Sequence, residues 1–374
     1  MSYGNYPDLS KVKKVLVVKM RHHGDVLLTS PVFSCLKRAM PGAQIDAFVY
    51  KDTVPMLAGH TDITQFIAYD RDWKKRSFFS KLQKELSLLW QIRKNAYDVV
   101  INLTEGDRGA IISLVSGAKV KVGMDAKGRG FFSKDRIYTH KVKQVPNPRH
   151  TVEKQLDALR VIGIFPSLEE RALSFHLPED DIQKMKDLLA GEGVQSGSFV
   201  LIHPVSRWKF KCLPTETVAT LIAELERRGK KVVLTSSPDK EERKMIEEIL
   251  SHRSSSAVDL GGKVTLKQLG ALIHLAQLVI CVDSVPLHMA SALKAPVVVV
   301  FGPTSEKNWG PWQHPQSRVV TQKMPCRPCF MDGCGGSKLS DCLYTLPASM
   351  VMEAAESLLV SKSPYELIDL IPAW

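Results

Sequence analysis

The chain has 374 residues, too many for one ordinary hydrophobic core, so two domains are expected. A composition of 44% hydrophobic and 24% charged residues is that of a folded soluble protein and excludes a disordered or fibrous one. The formal net charge of +12 favours an anionic partner: nucleic acid, a phosphorylated substrate or an acidic membrane surface.

In chain order, Lys14-Val15-Leu16-Val17-Val18-Lys19-Met20 holds four consecutive aliphatic residues, the pattern of a strand buried on both faces in a parallel sheet. The turn Arg21-His22-His23-Gly24-Asp25 follows. A helix then starts with Ser30 as cap and Pro31 in its first turn, its apolar face made by Val32, Phe33, Leu36 and Met40. Asp25 is therefore expected at the carboxyl end of the first strand, where open α/β sheets bind their ligands, and is a candidate catalytic carboxylate. Residues 44–50 alternate as a strand, 51–59 read as a short helix and 65–69 as another strand. Residues 77–94 form a helix with Phe78, Leu82, Leu86, Leu89, Trp90 and Ile92 on a stripe. A buried strand at 97–103, a helix at 107–116, a short strand around Val120 and Val122, and a helix at 151–161 complete the half. Such β-then-α repetition implies a parallel, doubly wound sheet.

Residues 166–197 turn polar and Pro/Gly/Ser-bearing, which reads as a linker with one helix at 180–189. A second series then begins: strands at 198–204, 231–236, 257–260, 278–283 and 296–301, the last of the series, alternate with helices at 214–228, 239–249, 265–276 and 287–293. The expected division is a Rossmann-like domain over 1–180, a second over 181–347, and a segment 348–374 whose helix packs back on the first domain. The amino terminus lacks the basic start and apolar core of a signal peptide, and no apolar run approaches the roughly 18 residues of a membrane span, so a cytoplasmic protein is expected.

Two stretches concentrate positive charge. Residues 70–94 carry eight Lys or Arg against three acids, and residues 119–143 eight against two. They read either as solvated surface or as a basic rim for an anionic acceptor, with Phe78, Phe79 and Trp90 beside the charges. No nucleic-acid module accompanies them, so nucleic acid is not the expected partner.

Several chemistries lack their residues. No G-x-G-x-x-G opens either sheet, Gly261-Gly262-Lys263-Val264 lacks the hydroxyl of a P-loop, and neither G-x-S-x-G nor H-E-x-x-H occurs. What remains lies at strand ends. Asp283-Ser284-Val285-Pro286-Leu287-His288 joins a strand to a helix amino terminus, whose backbone amides and dipole suit an anion; a plain helix cap is the alternative. Ser206-Arg207-Trp208-Lys209-Phe210-Lys211 follows the first strand of the second series and holds three cations, with Lys211 just before a helix start, where a diphosphate would balance its charge.

These motifs taken together, residues 17–31, 208–214 and 283–290 with Leu234–Glu242 and Leu260–Val264, resemble glycosyltransferase family 9, the ADP-heptose:lipopolysaccharide heptosyltransferases, and most of all the core heptosyltransferase III branch. The resemblance runs from about Lys14 to Pro303. It implies a GT-B fold of two Rossmann-like domains facing a central crevice, the acceptor bound by the first and the nucleotide sugar by the second. It implies transfer, with inversion, of L-glycero-D-manno-heptose from ADP-heptose to a heptose of the lipopolysaccharide inner core, at the cytoplasmic face of the inner membrane and without a catalytic metal. By the same resemblance Asp25 is the general base and Lys211 the diphosphate lysine. Asp283, Ser284 and His288 form the nucleotide-phosphate motif, Glu241 or Glu242 binds the ribose, and Gly24, Thr29, Arg207, Lys263 and Val264 complete the substrate contacts. Val285 stands where family members commonly have glycine. A transferase or epimerase for another nucleotide sugar, and a non-catalytic binding protein on the same fold, are the alternatives.

Seven cysteines in a cytoplasmic-looking chain argue against a disulfide framework. Cys326, Cys329, Cys334 and Cys342 have spacing compatible with a structural tetrahedral zinc site, the alternative being a metal-free loop.

Overall fold

The computed structural model describes residues 6–75, 77–125, 136–143, 148–252 and 254–359. The chain divides into two compact units, residues 1–176 and 177–374, a few residues before the boundary expected from the sequence.

In the first unit β1 (Lys14–Lys19), β2 (Gln44–Tyr50), β3 (Gln65–Tyr69), β4 (Val99–Asn102), β5 (Val120–Met124) and β6 (His140–Val142) pair in parallel in the order β3-β2-β1-β4-β5-β6. The helices of this unit are α1 (His23–Leu27), α2 (Ser30–Ala39), α3 (Phe78–Lys94), α4 (Asp107–Val115) and α5 (Thr151–Arg160). Val15 to Val18 have no solvent exposure, as a strand covered on both faces requires.

The second unit repeats the plan. Its strands are β7 (Phe199–His203), β8 (Lys231–Leu234), β9 (Val258–Asp259), β10 (Leu278–Val282), β11 (Val297–Val300) and β12 (Ser317–Val320), all parallel in the order β12-β11-β10-β7-β8-β9. Its helices are α6 (Glu179–Gly191), α7 (Thr215–Arg227), α8 (Lys240–His252), α9 (Leu266–Leu275), α10 (Val285–Leu293), α11 (Glu306–Trp309), α12 (Asp341–Tyr344) and α13 (Ala348–Leu359). In each sheet the connections run one way from the first central strand and the other way from the second. The switch points lie between β1 and β4 and between β7 and β10, which is where a doubly wound sheet opens a binding crevice at its strand ends.

Two expectations are corrected. The edge strands β6 and β12 carry no sequence signal because they are short and half-exposed, and polar residues interrupt their apolar pattern. The turn at 21–25 is partly helical: α1 occupies it because Val26 and Leu27 bury at its end, and Ser30 enters α2 as a first-turn residue whose hydroxyl accepts from the Ser174 amide (3.0 Å). Helix α13 belongs to the second unit, its Val351, Met352, Ala355 and Leu358 lying in that unit's core beside α7 and β10 to β12. The rest of the expected segment, 360–374, lies outside the described residues.

Candidate active site

In the first unit, the chain leaves β1 at the switch point and places Asp25 in the first turn of α1, its side chain 21% exposed, with Arg21 Nε 3.9 Å from its Oδ2. Gly24 is buried beside it. His23 Nε2 donates to the Asp52 carbonyl (2.9 Å) and ties α1 to the neighbouring connection. From β4, the other side of the switch, Thr104 accepts from the Met20 amide (2.8 Å), so the two strand ends are fastened together.

Lys19 is the residue here that sequence reasoning passed over. It ends β1, is 7% exposed, and donates to the Leu103 carbonyl (3.1 Å). Burial pushes its ammonium down to about 8, while the Asp25 and Glu105 carboxylates pull it up and Arg21 presses it further down. A lysine closing a run of buried aliphatics was the available signal.

That shift carries a sign. Below about pH 8 Lys19 is charged in both folded and unfolded chains, and the fold bears the cost of burying the charge. Between pH 8 and the unfolded value of 10.5 only the unfolded chain remains protonated, so this residue's contribution to stability rises with pH. Lys19→Met keeps the stem and removes the charge. Its advantage over the parent in unfolding free energy is expected to shrink by about 3 kcal/mol between pH 7 and pH 10.5, measured by denaturant unfolding across that range.

In the second unit the elements next to the switch converge on Asp283, which follows β10 and is 4% exposed. Lys211, from the loop after β7, donates to Asp283 Oδ2 at 2.6 Å, and Thr304, from the loop after β11, donates to the same oxygen at 2.7 Å. Lys211 is held from behind, since Ser340 Oγ donates to the Phe210 carbonyl (2.7 Å). An ammonium has three donors, so the pairing with Asp283 orients Lys211 and leaves donors for a ligand. Asp283 thus anchors the group, its Oδ2 accepting from both Lys211 and Thr304. Thr304 gave no sequence signal beyond following a strand.

Helix α10 begins at the same place. Ser284 precedes it in extended conformation, its hydroxyl donating to the Val282 carbonyl (3.2 Å), and Pro286 stands in the first turn. The helix amino terminus, with amides left over from its own ladder, supplies partial positive charge. His288 lies one turn on and is buried.

The remaining candidates divide. Arg207 is exposed, its guanidinium 5.6 Å from the Trp208 ring centre. Glu241 is exposed, whereas Glu242 is buried with its Oε2 accepting from the Ser237 amide (2.9 Å), so Glu242 shapes the loop after β8. Lys263 donates to the Asp259 carbonyl (2.7 Å) on an exposed turn next to half-buried Val264. Gly262 takes φ +67° in that turn, and a side chain at Gly261 would strike Arg243, which grips Asp259 through both carboxylate oxygens (3.0 and 3.2 Å). Thr29 is fully buried, and its hydroxyl donates to the Val26 carbonyl (2.6 Å), which holds the turn between α1 and α2.

Of the four clustered cysteines, Cys326 and Cys334 are exposed, Cys329 is half-buried and Cys342 is buried. Burial, with a smaller push from the other three thiols, raises Cys342 to about 11 against the pull of Arg327. The Asp341 amide donates to Cys334 Sγ (3.4 Å). Among the described residues no three His, Cys, Asp or Glu side chains are grouped to hold a metal ion.

The sequence profile of glycosyltransferase family 9 (heptosyltransferase) matches residues 86–339. Lipopolysaccharide heptosyltransferase 3 of Escherichia coli is 34% identical over 348 residues, which cover 92% of this chain and 98% of that protein. Among solved structures, the glycosyl transferase family 9 protein from Veillonella parvula superposes with a TM-score of 0.80 at 21% identity, covering 96% of this chain and all of the other. Escherichia coli ADP-heptose lipopolysaccharide heptosyltransferase II does so with 0.74 at 19%, covering 93% of this chain and 99% of its own. At these identities the structural likeness speaks for the shared fold.

Proposed function

As the chain belongs to glycosyltransferase family 9, we propose that it transfers heptose from ADP-heptose to a heptose of the lipopolysaccharide inner core, working at the cytoplasmic face of the inner membrane. The observation that carries the donor side is the hydrogen-bonded Lys211–Asp283–Thr304 group at the switch point of the second sheet, beside the amino terminus of α10.

In the proposed step the acceptor hydroxyl gives its proton to Asp25 as its oxygen attacks the anomeric carbon. The glycosyl–phosphate bond breaks from the opposite face, and ADP leaves with the bonding electrons, inverting the centre. Positive charge grows on the sugar ring and negative charge on the departing diphosphate, so positively charged groups fixed beforehand around the diphosphate lower the barrier. Lys211 and the α10 amides supply that charge, and we propose that no metal ion is needed for it.

Incubation with ADP-heptose and a core acceptor truncated before this sugar tests the reading. One heptose added per ADP released, at a rate unchanged by EDTA, is the expected result. Faster turnover of a UDP- or GDP-sugar, or ADP release with no heptose added, would overturn it.

A further inference from the structure

Helix α3 has two apolar faces. Leu88 and Ile92 are buried in the first unit's core, with Leu89 partly buried against it. Phe78, Phe79, Leu82, Leu86 and Trp90 lie on the adjoining face and are 72%, 81%, 44%, 56% and 63% exposed. At 100° per residue these five fall within an arc of about 120°, a continuous stripe. Among the described residues nothing buries this stripe, and a patch of large apolar side chains of this kind marks an interaction surface.

The charges around it say what kind. Arg93 lies within the stripe and Lys94 at its edge, both exposed, with Lys94 Nζ 4.7 Å over the Trp90 ring, while exposed Lys81 and Lys84 stand on the other sides of the helix. The helix has a single acid, Glu85, and that carboxylate is taken by Arg108 (2.6 and 3.0 Å) and by the Tyr69 hydroxyl (2.8 Å). The neighbouring α4 adds exposed Leu114 and Ile111. Two copies meeting through this face would set cations against cations in a chain already at +12, whereas an anionic surface removes that penalty. Aromatic and leucine side chains on one face with lysine and arginine beside them are the features of a helix that lies in the bilayer interface. Among the described residues no helix is long and apolar enough to cross a membrane.

We infer that the outer face of α3 is a membrane-docking surface that seats its apolar stripe among the headgroups of an anionic bilayer. This deepens the functional reading, since a glycolipid acceptor puts the enzyme at a membrane. The test uses neither donor nor acceptor, so its failure and that of the transfer reaction are separate results.

Flotation of the full chain with vesicles of phosphatidylethanolamine and phosphatidylglycerol, against phosphatidylcholine alone, is expected to show binding to the anionic vesicles only, weakening with salt. Phe79→Ser with Leu86→Ser is expected to weaken binding about tenfold or more, and Lys94→Glu to weaken it about threefold or more, with melting temperatures unchanged because all three side chains are exposed. Absence of binding to anionic vesicles, equal binding by the Phe79→Ser/Leu86→Ser variant, or a dimer that this variant dissociates in a chain that does not bind vesicles, would overturn the inference.

Discussion

Asp25→Asn is expected to lower kcat about 10³-fold, within the range by which a positioned general base accelerates proton transfer. The substitution keeps the shape of the side chain and its place in α1 but removes the basic oxygen, so acceptor and donor still bind while the acceptor proton has nowhere to go. Donor affinity should stay within about twofold, because the donor-binding groups proposed above belong to the second unit. Fold stability should move little as well: the Arg21 partner is half-exposed and 3.9 Å away, a pair of the kind that contributes under about 1 kcal/mol. Stopped-flow or steady-state kinetics with ADP-heptose, alongside calorimetric donor titration, reads both quantities. Unchanged kcat, or a loss confined to affinity, would remove Asp25 from the chemistry and favour a binding protein on this fold.

Lys211→Met is expected to cost about 10²- to 10³-fold in kcat, the effect of deleting one fixed positive group from the site of developing charge. It should also destabilise, by about 3 kcal/mol or somewhat less, because Asp283 would be left buried with Thr304 as its remaining donor while the lysine's own 17% exposure tempers the pairing. The double variant Lys211→Met/Asp283→Asn separates the two effects. Removing the orphaned charge should restore most of the stability and none of the rate. Recovery of activity in the double variant would mean that Lys211 serves only to neutralise Asp283.

The legible parts of this protein were those that repeat. Buried strands of four or five aliphatic residues, from Val15 to Val18 and again from Val297 to Val300, can lie only in the middle of a parallel layer, and the helices between them follow from ordinary periodicity. Asp25 and Lys211 stood out because they end such strands or interrupt a loop with charge. Thr304 and Lys19 did not. Each is a commonplace residue whose meaning comes from a neighbour outside its own motif, Asp283 for the first, 21 positions away, and Leu103 for the second, 84 positions away. Glu242 and Thr29 each hold a backbone group, which was not legible either, since a polar residue in a motif has the same letter whether it faces a ligand or a backbone.

By itself the sequence determined the two α/β units, the strands at their centres, and the family, because local periodicity and contiguous motifs carry that information within a few residues. Only the tertiary structure decided the strand order, the edge strands, the side on which α13 packs, and the pairing of Lys211 with both Asp283 and, through it, Thr304. These depend on contacts between residues far apart along the chain, 72 positions for Lys211 and Asp283, and a one-dimensional pattern holds no record of which distant strands become neighbours.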